Sequence, residues 1–492
     1  MKQIKKSGLA IIALLMSMGA TAENEITNET VYKAEAFGSV ATDENTPFWM
    51  VSNQYGKVPL NAGNGYLNAG VFHHQTFGKF YWTAGIDVVA SFPRYKNVYI
   101  QQIYAELGYR CLLLTIGSKE RYTSLWNRNL SSGDLIASPN ARPIPEITLS
   151  IPEFQVIPFT GGWIQLKGEF SVGKSFDNDY LGKFTHNESY YVKDVLWHHK
   201  YGFIRIKDTK NDFPLSVTIG VRDVAQWGGT STNPKFGEQP HSFKDFLRVV
   251  CGKGGNEEAS ISDQINVLGN HEITYDFKLG FEKESWQLFA YHQHYASDKS
   301  GLKFQNGTDG LWGIEFNSPF PWIKTVVTEF YKSRDQSGYF HMPIDTDFTN
   351  HPGCSTGADN YYNNGIYTNG LSYFNRGLGT PLVSSPEYNE NGELGFKNNR
   401  IRAWHIGFEG NISEQVSYRL LFTFMNSWGT SRKPFLDNKA GTSTVIDITY
   451  RHPKLKGWKF SGSVAGDTGK LYGKNLGFSL RVSKEGIIKK WK

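Results

Sequence analysis

The residues from His271 to Phe281 change character at every step. His271, Ile273, Tyr275, Phe277, Leu279 and Phe281 alternate with Glu272, Thr274, Asp276, Lys278 and Gly280, so an extended chain carries one apolar and one polar face along its whole length. After the short polar turn 282–285, a second stretch of this kind returns from Trp286 to Tyr295. Such a hairpin has two unpaired edges and becomes stable only when further strands cover them.

The rest of the chain supplies further strands. Tyr32 to Val40, Pro47 to Val51, Gly65 to His73, Lys79 to Ala90, Gln102 to Tyr109 and Cys111 to Gly117 read as strands. Two-fold patterning resumes at Trp163 to Val172, Leu215 to Arg222, Trp312 to Phe316 and Ile323 to Lys332. It continues near Arg402 to Ile412, Val416 to Met425, Ser443 to Tyr450, Trp458 to Val464 and Leu476 to Val482. Three long insertions interrupt the series: Ser118 to Gly161, Val224 to Asn270 and Ser333 to Asn399. The second contains a predicted helix over Ser242 to Val250 with Ser242 as its N-cap.

The count is about sixteen to eighteen strands, roughly ten residues each where best defined, which is the length that crosses an outer membrane on a tilt. No linker or change of composition divides them. The expected fold class is therefore all-β, a single closed antiparallel transmembrane β-barrel, because closure removes the edges of so wide a sheet. A soluble two-sheet sandwich alternates in the same way. The N-terminus favours the membrane reading. Lys2, Lys5 and Lys6 precede the apolar run Leu9 to Met18, and Ala20-Thr21-Ala22 is a small-x-small cleavage site, so residues 1–22 read as an export signal and 23–492 as the barrel domain.

Removing the signal lowers the formal charge from +6 to +3, and no Lys/Arg run forms a phosphate-tracking stripe, so nucleic acid is not an expected partner. Mean hydropathy is −0.43, and after the signal no apolar run approaches the ~20 residues of a membrane helix. The 15% aromatic content and 51 glycines suit many strands, tight turns and aromatic girdles at two lipid interfaces. Cys111, Cys251 and Cys354 are odd in number, so they allow at most one internal bridge. Cys111 reads as a packed thiol, and a pairing of Cys251 with Cys354 is open.

Within the first insertion, Ser132-Gly133-Asp134-Leu135-Ile136 leads to Asn140-Ala141-Arg142-Pro143-Ile144-Pro145. Later come Gln226-Trp227-Gly228-Gly229, Tyr291-His292-Gln293-His294-Tyr295 and Asp467-Thr468-Gly469 with Asn475 and Gly477. These runs, in this order, resemble the capsule-assembly Wzi family of outer-membrane barrels, and the resemblance extends over most of the chain. It implies capsular polysaccharide as ligand, outer-membrane lipid as surroundings and the capsule export machinery as a further partner, without a cofactor. One difference is local: the tryptophan cluster expected before the signature is reduced to Trp126 with Asn127 and Arg128.

Sugar rings present apolar CH faces and many hydroxyls, so a polysaccharide site needs aromatic platforms beside amide and charged donors. The insertions supply Trp126, Arg128, Arg142 and Trp227, then Tyr361, Tyr362, Asn363, Asn364, Tyr367 and Tyr373. The same residue types also build turns and packed loops, and Arg142 also suits a tie to a lumen carboxylate. His73-His74 and His198-His199 point to opposite faces and are poor chelates. His292 and His294 share a face but lack a third ligand at suitable spacing, so no metal site is expected. The chain has no nucleophile elbow, metalloprotease motif or phosphate loop, which argues against an enzyme. A hydrolase assembled across strands and a porin-like channel for small solutes are the alternatives. The apolar loop residues Leu125, Leu135, Ile136, Phe246 and Leu247 favour insertions packed inside the barrel mouth. A plugged lumen is therefore expected, opened by trimming Tyr361 to Tyr373.

Overall fold

The computed structural model describes residues 28–336 and 359–491, apart from 187 and 298 and the side chains of 299 and 300. The export signal and the part of the third insertion that holds Cys354 lie outside the described residues. Eighteen antiparallel strands form one closed sheet. In chain order they are β1 (Glu29–Ala41), β2 (Asn64–Phe77), β3 (Phe80–Phe92), β4 (Val98–Tyr109), β5 (Leu112–Ser118) and β6 (Glu146–Val156). Then come β7 (Ile164–Lys174), β8 (Leu196–Lys207), β9 (Leu215–Trp227), β10 (Asn270–Glu282), β11 (Gln287–Ala296) and β12 (Gly310–Asn317). The last six are β13 (Thr325–Lys332), β14 (Ile401–Asn411), β15 (Val416–Gly429), β16 (Pro434–Arg451), β17 (Trp458–Gly469) and β18 (Asn475–Lys490). Each strand pairs with its neighbours in sequence. β1 also pairs with β18, from Glu29 opposite Lys490 to Ala41 opposite Gly477, so the barrel has no open edge.

The two faces read from the sequence become outside and inside. On β10, Phe277 and Leu279 stand on the outer wall at 41% and 53% exposure, whereas Glu272, Thr274 and Asp276 are at most 1% exposed in the lumen. Ile86, Ile116, Leu149, Ile219, Ile314 and Ile446 repeat the outward pattern around the barrel. Near one end the ring pairs Phe77–Phe80, Trp163–Phe213, Phe281–Trp286 and Trp458–Phe460 form an aromatic girdle, as expected where a barrel wall meets headgroups. Among the described residues no helix is long and apolar enough to cross a membrane.

Three local expectations need correction. Pro47 to Val51 is no strand: Phe48–Val51 is a short buried helix, since Phe48, Trp49, Met50 and Val51 are all apolar and all packed inside the barrel. Glu146–Val156, read as part of an insertion, is strand β6. Pro152 and a register shift between Ile151 and Gln155 hide its pattern. β8 escapes alternation because its loop-end half is inverted, whereas Ile204 and Ile206 face outward in the ordinary way. Trp197 and Phe203 face a packed lumen, while His198 and Lys200 face outward beneath a covering loop. Cys111 is a packed thiol against Ile151, as expected, and Cys251 is exposed.

All long connections leave the same end. The turns 78–79, 110–111, 157–163, 208–214, 283–286, 318–324, 412–415 and 452–457 lie with both barrel termini. The connections 42–63, 119–145, 175–195, 228–269, 297–309 and 333–400 join strand ends at the opposite mouth. Outer-membrane barrels place short turns in the periplasm and long loops outside.

Candidate functional site: a sealed mouth and its outer surface

The connection 119–145 crosses the lumen and is bonded to the wall on several strands. Arg222 on β9 meets Asp276 on β10 at 3.0 Å and Asp134 of the connection at 3.4 Å, and it donates to the Thr123 carbonyl. Glu329 on β13 accepts from the hydroxyls of Ser131 and Ser132, both at 2.6 Å, from the Ser132 amide at 2.7 Å and from Tyr291 Oη at 2.5 Å. Gln293 accepts from the Leu135 amide at 2.9 Å and the Trp126 indole at 3.2 Å, and a His405 ring nitrogen bonds the Leu130 carbonyl at 2.7 Å. Arg222, Glu329, Asp134, Asp276 and Gln293 are all 2% exposed or less. Charges buried to this degree cost several kcal/mol each unless paired, so the wall and the connection specify one another.

A second layer lies nearer the rim. The Tyr362 amide donates to Glu272 at 3.1 Å, and the Tyr362 hydroxyl donates to the Leu135 carbonyl at 2.7 Å. The Tyr367 hydroxyl donates to the Gly228 carbonyl at 3.1 Å, and Gln226 donates to the Gly370 carbonyl at 3.1 Å. Gln226 and Glu272 are four residues closer to the loop end than Arg222 and Asp276, or about 13 Å along a strand. The helix Phe48–Val51 fills another sector, with its Trp49 indole donating to Thr423 at 3.1 Å and its Phe48 amide to Asp467 at 3.0 Å. Residues of these three connections share one hydrophobic cluster with the wall.

The residues singled out in the sequence mostly build this seal. Trp126 stacks on Tyr291 at 4.5 Å, and Tyr361, Tyr362, Tyr367 and Tyr373 are at most 4% exposed. Asn363 clamps Phe396 through two backbone bonds of 2.7 and 2.8 Å, and the Asn364 side chain bonds the Ile366 amide. Trp227 lies on the outer wall beneath a covering helix. Arg128 is exposed below the plug, within 3.3 Å of the Tyr55 hydroxyl, and lines a polar chamber of about 630 Å³ with Lys324, Arg451 and Ser461 beside the short turns.

Arg142 has a different setting from the carboxylate tie considered for it. Its guanidinium lies between the rings of Tyr99, at 4.2 Å, and Phe374, at 4.4 Å, and donates to the Ile100 carbonyl at 2.9 Å. Around it is a loop-end surface that pattern reading missed. Tyr180, on the helix Asn178–Phe184, packs against Tyr95 at 5.5 Å and Phe374 at 5.4 Å. Lys183 lies 4.9 Å over Tyr95, and Arg94 lies 4.9 Å over Tyr99. Phe176 and Tyr190, on the same connection as Tyr180, are 64% and 54% exposed. Arg94-Tyr95-Lys96 in a hairpin connection, with Tyr180 and Lys183 three apart on one helix, was the available signal.

Two groups hold this surface in place. Asp177 accepts the Phe374 amide at 3.1 Å, and burial pushes its pKa up to about 6 against the opposing pull of that bond and of Arg142. Burial, reinforced by Arg94, pushes the Arg142 pKa below its ordinary value. The result is a row of rings with cations beside them, a chemistry suited to sugar faces and to acidic substituents.

The histidine pairs have other partners. His199 meets Glu146 at 2.8 Å and His198 bonds the Ser171 carbonyl at 2.8 Å. His292 stacks on Trp312 at 3.7 Å, and His294 packs at a tilt against Phe304 at 4.3 Å. Among the described residues no three ligating side chains come together for a metal ion.

No family model matches the chain, and no curated protein matches it. Solved structures do. Wzi of Escherichia coli, described as an outer-membrane protein involved in group 1 capsule assembly and a carbohydrate-binding β-barrel, superposes with a TM-score of 0.56 at 13% identity. That match covers 92% of this chain and 83% of Wzi. The Pseudomonas aeruginosa outer membrane protein OprD gives 0.46 at 10% identity, over 96% of this chain and 97% of its own. OpdF of the same organism, solved with glucuronate, gives 0.48 at 10%, over 94% and 98%. The likeness to Wzi is one of fold: this chain is an 18-stranded barrel of the outer-membrane type.

Proposed function

We propose that this protein is a non-enzymatic outer-membrane barrel, exported with cleavage near Ala22, that binds acidic surface polysaccharide and retains capsule on the cell. The observation that carries the reading is the mouth itself. Three of its long connections, 42–63, 119–145 and 333–400, carry residues bonded into the lumen as a plug, and beside that plug the Tyr95, Tyr180 and Phe374 rings stand with Arg94, Lys96, Arg142 and Lys183. A seal of this kind favours a binding surface over a solute channel. The carbohydrate-binding description of Wzi agrees with the reading.

Under this proposal Trp126, Tyr361, Tyr362, Asn363 and Tyr367 act from behind, as the packed support of the surface, Arg142 acts at its edge, and Trp227, on the outer wall, takes no part. The test is capsule retention together with glycan binding by the purified barrel. Deletion of the gene should leave polymer synthesis intact and shift capsule from cells to medium. Tyr180→Ala should weaken glycan binding by roughly two- to tenfold, the worth of one ring stack. Unchanged retention on deletion, with reduced uptake of small solutes, would establish the channel instead.

A further inference from the structure

The connection 228–269 is long enough to enter the mouth with the others, yet it folds over the outside of the barrel. On β9, Val217, Ile219 and Val221 face outward at 42%, 47% and 44% exposure, while the next residues on that face, Asp223, Ala225 and Trp227, are 6% exposed or less. The helix Phe243–Val250 and the chain up to Leu268 cover them. Phe246 packs on Trp227 at 5.6 Å and His198 at 5.7 Å, and Val249, Ala259 and Leu268 close over Ala225 and Trp227. Beneath this cover Asp223 is paired with Lys200 at 2.8 Å and His271 at 3.0 Å, and Lys200 also donates to the Val250 carbonyl at 2.9 Å.

This sector of the wall therefore carries charge on its outer face toward the loop end, where other sectors carry Phe92, Trp312 and Trp404 at 69%, 42% and 57% exposure. The cover supplies the missing apolar surface. Phe243 and Leu247, one turn apart on the helix, are 75% and 47% exposed, and Ile261 and Ile265, one turn apart on the helix Ile261–Ile265, are 77% and 69% exposed. Each such side chain is stabilised by leaving water, and among the described residues none of the four is buried by the barrel.

We propose that residues 228–269 form a membrane-seated flap. Phe243, Leu247, Ile261 and Ile265 lie in the interfacial layer of the outer leaflet and continue the lipid-facing surface across a sector whose own wall is charged. An amphipathic helix in the plane of the interface is stable in that position, and the bond from Lys200 to Val250 fixes the helix to the wall. The occupant of the apolar face is lipid.

The test uses the full-length protein refolded into phosphatidylethanolamine–phosphatidylglycerol vesicles. A spin label at Leu247→Cys, in a background of Cys111→Ala, Cys251→Ser and Cys354→Ser, is compared with labels at Ile219→Cys on the wall and Lys235→Cys on the cap. Collision with oxygen in excess over a water-soluble nickel chelate, as at Ile219, is the expected result. A water-like profile matching Lys235 overturns the proposal, as does dipolar broadening between labels, which would place a second copy on the face. A second measurement needs no cysteine changes. Phe243→Ser, Leu247→Ser, Ile261→Ser and Ile265→Ser together should leave the barrel folded but remove the protection that vesicles give against trypsin at Lys244, Arg248 and Lys253. Cleavage as slow as in the parent protein overturns the proposal.

Discussion

Arg222 shows how single residues hold the seal. Its guanidinium is the shared partner of Asp134 and Asp276, so Arg222→Leu leaves two buried carboxylates facing each other and is expected to cost about 3–5 kcal/mol. Urea unfolding in vesicles, followed by the heat-dependent gel shift, reads this directly. Asp177 sets a pH dependence. Its folded pKa, about 6, lies above the ordinary aspartate value of 3.8, so the folded state favours the protonated form, and stability falls as pH rises from about 4 to above 6. The loss approaches roughly 3 kcal/mol. The protection factor of the Phe374 amide, the slowing of its exchange relative to the free amide at the same pH, should therefore be larger at pH 5 than at pH 7.5, and Asp177→Asn should flatten the difference; equal protection factors in the parent protein would refute it. The inward placement of Glu272 and Asp276 was legible from the two-residue period alone. Their partners were not, because Glu272 meets the Tyr362 amide across 90 positions and Asp276 meets Arg222 across 54, distances over which local patterning carries no information.

At the scale of elements, legibility follows how far one rule governs a segment. The strands obey alternation and were found wherever the lumen face is polar. β8 departs from it because its lumen face packs on the plug, and β6 because Pro152 breaks its register. The helix Phe243–Val250 obeys a capping rule: Ser242 accepts the Asp245 amide at 3.2 Å, and the Asp245 carboxylate accepts the Ser242 amide at 3.1 Å. Ser242→Ala should cost about 1 kcal/mol, felt by the flap and not by the barrel, so limited proteolysis between 244 and 253 should quicken while the gel shift stays put. Gly313 on β12 lies under a ring. A Cβ there would come within 2.1 Å of Tyr291, whose hydroxyl bonds Glu329 at 2.5 Å and whose face carries Trp126. Gly313→Ala is expected to destabilise by about 1–3 kcal/mol through displacement of that ring, a shift readable in the same urea experiment.

At the scale of the whole molecule the sheet closes into a barrel, and three of its connections are bonded across the lumen. The sequence pointed to loops inside the mouth, and Leu125, Leu135 and Ile136 are indeed packed there, while Phe246 packs on the outer wall and Leu247 stands exposed on the same helix. Apolar content was enough to say that these segments pack, but which side of the wall receives them depends on the charged patch around Asp223, which only the register between β8, β9 and β10 brings together. The layering also changes what trimming should do. Tyr361 to Tyr373 lies above the connection 119–145, which has its own anchors on Arg222, Glu329, Gln293 and His405. In planar bilayers the intact protein is expected to pass no steady current, and replacing 361–373 by a short Gly-Ser linker should leave it closed, because the lower layer still spans the lumen. Adding Glu329→Ala to that replacement removes the acceptor of Ser131 and Ser132 and should bring conductance steps. Steady conductance in the intact protein would refute the seal, and steps from the 361–373 replacement alone would show that the rim layer carries the closure.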